Sequence, residues 1–254
     1  MHQPTAAMLV IGDEILSGRT RDANAHYLAG QLAGAGIRLT EIRVVPDDAP
    51  VIVTAVRELS ARVDHLFTSG GIGPTHDDIT ADCIAEAMGA SIGVRDDARA
   101  ILEAYYRPGE LNEARLRMAR IPEGAMLIDN PLSQAPGFTL GNVHVMAGVP
   151  SVFRVMLDGL LPRLEGGPVT LSHAFRVMLP EGELAAPLRQ LAETHPQVSI
   201  GCYPFFRLGP GATLILRSAD PVRLAAAAAE ARAMLAERVA PEEIEETPPV
   251  NNPE

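Results

Sequence analysis

The chain has 254 residues, is 47% hydrophobic and 4% aromatic with no tryptophan, and carries a net charge of −11 at neutral pH. That length holds a full α/β core with room for a second small domain, and the charge argues against a nucleic-acid partner, because phosphate backbones select basic faces. No apolar run approaches the roughly 18 residues needed to span a bilayer, no signal-type segment precedes "AAMLVIGDE", and two distant cysteines, Cys83 and Cys202, fit a reducing, cytoplasmic setting.

In chain order, the apolar run at residues 6–11 reads as a strand buried on both faces. Asp22 caps a helix whose Ala25, Leu28, Ala29 and Leu32 fall on one face, ending at Gly34–Gly36. A second strand covers 37–45, Asp47 or Asp48 starts a helix with Ile52, Ala55, Val56 and Leu59 inward, and a third strand covers 64–69. The glycine-rich bend "SGGIGPTHDD" follows, with Thr80 capping a helix to Met88. Residues 95–119 form a helical excursion broken at Pro108–Gly109, 136–148 a hairpin turning at Gly141–Asn142, and 151–161 a closing helix. "PRLEGGP" (162–168) is the domain boundary. Beyond it come a strand (169–178), a helix (181–194), strands at 198–202 and 213–217, and a helix (221–239).

The strand–helix alternation predicts an α/β fold: a three-layer α/β/α, mostly parallel sheet over residues 1–166, joined by right-handed crossovers. A smaller α+β domain (β-α-β-β-α) covers 168–240. Residues 241–254 belong to a stretch with five glutamates and no basic residue, and read as a disordered tail.

All 21 basic side chains are arginine. Without lysine there is no Walker A loop and no Schiff-base chemistry, so a phosphate must be held by arginine, backbone amides, helix ends or metal. Open α/β sheets bind ligands at the carboxyl ends of their strands. Four polar loops, three of them glycine-bearing, lie at such ends: "GDEILSG", "PDD", "SGGIGPTHDD" and "MAGVPS". Glycine-rich amides followed by a helix N-terminus form an anion-binding concavity. Neighbouring carboxylates would repel that anion unless a divalent cation such as Mg²⁺ lay between them. The same residues also have plain readings: Gly70–Gly71 as a tight turn, Asp77–Asp78 as helix N-terminal charge, Glu14 and Asp48 as capping residues, and His76 as a solvated loop histidine. No GxSxG elbow surrounds Ser17, Ser69 or Ser151, and neither glycine loop fits GxGxxG.

The segments "GDEILSGRTRDANAHYLAGQLAGAGI", "TSGGIGPTHDDITADCIAEAMG", "NEARLRMARIPEGA", "NPLSQAPGF" and "MAGVPSVFRVML" resemble the competence/damage-inducible protein A family of the molybdopterin-binding domain superfamily, over roughly residues 5–165. The second unit, with "GCYPFFR", resembles the matching part of eukaryotic FAD-synthase-like proteins. The resemblance implies a domain that binds a pterin or nucleotide diphosphate. Two aspartates important in molybdenum-cofactor relatives fall on Asp47 and Asp78. It further implies an ADP-ribose or FAD pyrophosphatase that requires a divalent cation (Mg, Mn or Co), and a homo-oligomer, dimer or trimer. His76 stands where many relatives have lysine, and the nicotinamide-mononucleotide deamidase and FAD-synthase catalytic domains have no counterpart in this sequence.

The resulting expectation is a metal-dependent nucleotide-diphosphate hydrolase. Asp47 and Asp78 hold the metal or orient water, and Gly70, Gly71 and Gly73 cradle the diphosphate. Gly12, Asp13, Asn24, Ser69, Thr75 and Thr80 complete the ligand site, with Gly148 and Pro150 as its far wall. The alternatives are a molybdopterin-binding module without turnover, and a regulatory or structural protein with an inherited pocket.

Overall fold

A computed structural model describes residues 3–206 and 209–251. The chain divides into two compact units, residues 1–167 and 168–254.

The first unit runs β1 (Thr5–Ile11), α1 (Asp13–Leu16), α2 (Asn24–Gly34), β2 (Arg38–Val45), α3 (Ala49–Ser60), β3 (His65–Ser69), α4 (Thr80–Met88), β4 (Ile92–Val94), α5 (Asp96–Tyr105), α6 (Glu113–Leu116), a 3-10 turn (Arg117–Ala119), β5 (Arg120–Pro122), β6 (Met126–Ile128), β7 (Gly137–Leu140), β8 (Val143–Met146) and α7 (Pro150–Leu160). Six strands form a sheet in the order β2-β1-β3-β8-β7-β6. β2, β1, β3 and β8 are parallel neighbours, whereas β7 and β6 add antiparallel partners at one edge.

Strand alternation produces the layers. Ala7, Leu9 and Ile11 of β1 pack with α3, α4 and α5, and Ala6, Met8 and Val10 pack with α2 and α7 on the opposite face. A strand walled by helices on both sides has no use for polar alternation, which is why β1 reads as an unbroken apolar run. The fold class anticipated from the sequence is therefore present, with an α/β/α sandwich and a smaller second unit.

Several local expectations need correction. Thr80 does not cap α4; it is the first helical residue, and its hydroxyl turns back to donate to the Gly70 carbonyl at 3.0 Å. Of the aspartate pair before α3, Asp48 is the cap, accepting from the Val51 amide at 3.2 Å. The excursion after α4 is not only helical: β4 and β5 pair antiparallel and close its base. Three-residue strands carry too little periodicity to be seen in sequence.

The second unit contains β9 (Leu171–Val177), α8 (Glu181–Thr194), β10 (Ser199–Phe206), β11 (Pro210–Ser218), α9 (Pro221–Ala236) and β12 (Glu245–Asn251). Its sheet, in the order β10-β11-β9-β12, is antiparallel throughout. Phe175, Val177, Leu214 and Leu216 pack with Leu184, Leu191, Leu224 and Ala231 from the two helices.

The tail expected to be disordered is ordered through residue 251. A 3-10 turn (Pro241–Glu243) leads into β12, which pairs with the edge of β9 and shifts register between Thr247 and Val250, where Pro248 and Pro249 have no N–H to donate. Glu246 accepts from His173 at 2.6 Å and from Arg232. Composition alone counts glutamates as solvated charge, and these two partners come from β9 and α9. Burial pushes the Glu246 carboxyl up, yet His173 and Arg232 together hold it below its ordinary value. Residues 252–254 lie outside the described set. Among the described residues no helix is long and apolar enough to cross a membrane.

Candidate functional site

β1 lies between β2 and β3, so the chain departs in opposite directions from the central strand and leaves a crevice at the carboxyl ends. A cavity of about 590 Å³ lies there. It is lined by Gly12 and Glu14 after β1, Asp47 after β2, Gly70 to Pro74 with Asp77 and Asp78 after β3, and Ala147 to Pro150 after β8. The four loops singled out by their composition thus meet on one side of the sheet.

The glycine bend is held by close packing. Gly70 and Gly71 have φ of +110° and +67°, a region that disfavours side chains. A β-carbon at Gly70 would strike the Ile11 carbonyl, and one at Gly71 the Thr80 hydroxyl. The Thr80 amide donates to the Gly71 carbonyl at 2.9 Å. The Gly70 amide is engaged by the Met146 carbonyl at 3.3 Å, which leaves the amides from Gly71 to Gly73 as those that can face a ligand.

Beneath the cavity, Asn24 is 3% exposed. Its amide nitrogen donates to the Ser69 hydroxyl and to the Gly148 carbonyl, both at 2.7 Å. Asn24 therefore ties the end of β3 to the loop after β8 from below, and its Oδ1 is buried without a partner. Asn24, Ser69 and Thr80 are supports under the floor and do not line the cavity.

The carboxylates differ in role. Asp47 accepts from the Asp13 amide at 3.0 Å, so Asp13 steadies Asp47 through its backbone and does not itself line the cavity. Burial raises the Asp47 carboxyl above its ordinary value; the Asp13 amide opposes this, and the charges of Asp13, Glu14 and Asp77 add to it. Asp78 is turned into its own loop, where it accepts from the Thr75 amide at 2.8 Å and the Thr75 hydroxyl at 2.5 Å. Thr75 thereby shapes the bend and does not line the cavity. Gly12, Gly73, Gly148 and Pro150 do line it. His76 projects into solvent, its side chain 99% exposed.

Several lining residues carry no clear mark in the sequence. Glu14 read as a cap; it sits in the first turn of the four-residue α1 and faces the cavity. Thr20, Met118, Asn130, Ser133 and Val152 also line it. Asn130 organises its own segment, donating to Ser133 at 2.6 Å and to the Ala135 carbonyl at 2.8 Å; the polar "NPLSQ" run was the only signal. Cys83 is no nucleophile: it lies in the core, where burial pushes its thiol up to about 11. Among the described residues no group of three or more His, Cys, Asp or Glu side chains is arranged to hold a metal by itself.

Residues 7–166 match the family model described as a probable molybdopterin binding domain, and residues 170–243 match the middle domain of FAD synthase. A protein of Archaeoglobus fulgidus is 33% identical over 197 residues, covering 78% of this chain and 84% of its own length. A CinA-like protein of Myxococcus xanthus is 34% identical over 211 residues, covering 76% of this chain but only 50% of its own. A crystal structure of the protein CinA from Thermoplasma acidophilum superposes with a TM-score of 0.60 at 33% identity, over 63% of this chain and 98% of that one. The cavity, the glycine bend and the sheet order lie within the matched span, and the chain belongs to the molybdopterin-binding-domain family, on its CinA-like branch.

Proposed function

We propose that the first unit binds the diphosphate of a nucleotide or pterin and, with a divalent cation, hydrolyses it in the manner of an ADP-ribose or FAD pyrophosphatase. The observation that carries this reading is the meeting of Asp47 and the glycine bend on one cavity of about 590 Å³, a size that suits a nucleotide. Amides from Gly71 to Gly73 cradle the diphosphate.

The residues present fit a divalent cation. Glu14, Asp47, Asp77 and Asp78 border the cavity without a basic side chain among its lining residues, and the Asp47 carboxyl is raised first by burial and then by the charges of Asp13, Glu14 and Asp77. One or two carboxylates completed by phosphate oxygens and water is how Mg²⁺-like ions are held, so the lack of a complete protein cluster is consistent with this. Asp47 and Asp78 would hold the ion, which when bound polarises the phosphoryl group and lowers the pKa of water. Thr75 keeps Asp78 in register with the bend.

A second reading, a molybdopterin-binding module without turnover, is favoured by the description of the matched family and by the engagement of the Asp78 carboxylate with Thr75. One assay separates the two. Purified protein is incubated with ADP-ribose or FAD and Mg²⁺, Mn²⁺ or Co²⁺, and AMP is measured. Release of AMP that is lost in Asp78→Ala supports hydrolysis. Tight pterin binding without AMP selects the binding module.

A further inference from the structure

The cavity presents a difficulty for any phosphate ligand: its lining carries four carboxylates and no arginine. Behind the glycine bend, however, lies an adjoining recess of about 20 Å³. It shares Gly71, Gly73 and Asp78 with the cavity, and Arg117 and Arg120 also line it. That volume is room for about one water-sized group, such as one phosphate oxygen.

The two arginines are not equivalent. Arg120 is committed to the Asp82 carboxylate. Arg117 donates from a terminal nitrogen to the Asp78 carbonyl across a long 3.4 Å, and its Nε is buried with no acceptor. Buried donors are normally satisfied, and one left unmatched is destabilising. The position is built by the chain: Asn112 caps α6 through the Arg115 amide at 2.9 Å, the 3-10 turn carrying Arg117 follows directly, and pairing of β5 with β4 anchors its far end.

We propose that Arg117 is the cationic contact to the ligand's phosphate, reaching it through this recess beside the glycine bend. The proposal rests on the diphosphate reading and adds a selectivity to it: an ionised phosphate at the bend is required for binding. A guanidinium suits the task, because it stays charged and offers several donors in a fixed fork. It also supplies the positive charge that the lysine-free bend, with His76 in solvent, does not.

The test measures the affinity of inorganic pyrophosphate with Mg²⁺, by calorimetry at several salt concentrations, for wild type, Arg117→Gln and Arg117→Lys. Melting curves establish that each variant is folded. Arg117→Gln is expected to weaken binding about 10- to 100-fold, the range for a charge-assisted hydrogen bond, and to flatten its salt dependence. Arg117→Lys should recover part of both. The proposal is overturned if Arg117→Gln binds as wild type does. It is overturned equally if binding falls with an unchanged salt dependence and lysine gives no recovery, since Arg117 would then only steady the Asp78 carbonyl. If the glutamine variant does not fold, the lysine variant decides: unchanged affinity and salt dependence overturn the proposal, and a several-fold loss sustains it. Failure of the wild type to bind pyrophosphate sinks the diphosphate reading itself, before any variant is made.

Discussion

Thr80 holds Gly70 in place: its hydroxyl donates to the Gly70 carbonyl at 3.0 Å inside a fully buried contact. Thr80→Val keeps the shape and removes the donor, leaving that carbonyl unmatched. A loss of about 1–3 kcal/mol is expected, read by urea denaturation of the first unit. Because the bend is what Thr80 holds, ligand affinity should fall with it; a variant as stable as wild type would show the contact to be incidental.

Asp47 is a charge held at a cost. Burial first, then Asp13, Glu14 and Asp77, raise its carboxyl against the opposing Asp13 amide. For a group raised on folding, the stabilising effect is complete in acid and is lost as pH rises through the folded pKa. Ionised Asp47 should therefore destabilise the cation-free protein at pH 7. Asp47→Asn, whose oxygen can still accept from the Asp13 amide, should stabilise that form at pH 7 and change it little at pH 3. The same variant should lose any stabilisation that Mg²⁺ confers on the wild type, as followed by thermal melting with and without the ion.

A pH effect of opposite sign, also rooted in burial, comes from His144 of β8. His144 is 3% exposed, between the Thr139 hydroxyl at 3.0 Å and the His65 ring at 3.2 Å. Burial, then His65, lowers it from 6.5 to about 3. A depressed folded pKa contributes stability that is present above pH 6.5 and lost as pH falls toward 3. At pH 5 the loss is about 2 kcal/mol. His144→Gln should show a shallower fall between pH 7.5 and 5 in urea titrations, and an identical slope would remove His144 as the cause.

The last strand is expected to protect an edge. Truncation after Glu243 removes β12, exposes the backbone of β9 and takes the acceptor from His173. The second unit should lose about 2–4 kcal/mol, from several cross-strand hydrogen bonds at roughly 0.5–1.5 kcal/mol each. Light scattering should detect concentration-dependent association through the bared edge. A truncated chain that stays monodisperse and equally stable would mean that β12 contributes nothing.

Much of the architecture was legible because burial leaves a periodic mark. The unbroken run of β1, the one-sided Leu28 and Leu32 of α2, and the stripe of Leu224, Ala227, Ala231 and Leu235 in α9 each appear in the structure as core. What escaped notice was short or depended on a distant partner. The three-residue β4 and β5 exist because they find each other, and β12 exists because β9 offers an open edge with His173 and Arg232 nearby.

At the site, glycine and aspartate content was enough to single out the loops, since few residue types tolerate positive φ or tight anion-binding bends. It could not say which atoms face the cavity. Asp77 and Asp78 are neighbours in sequence, yet Asp78 is drawn inward by Thr75. Asp47 and Asp48 divide between cavity lining and helix cap. Asn24 and Thr80, both expected in the pocket, lie under its floor, while Glu14 and Arg117 take positions that their local sequence does not announce.

The sequence by itself determined the layered α/β plan, the place of the ligand-binding end of the sheet and the kinds of residue gathered there. These follow from hydrophobic period and backbone freedom, both local properties of the chain. Only the tertiary structure decided which carboxylate is burdened by its neighbours, which arginine is left with a donor to spare, and which terminal segment becomes a strand. Each of those depends on charges and hydrogen-bond partners brought together from distant parts of the chain.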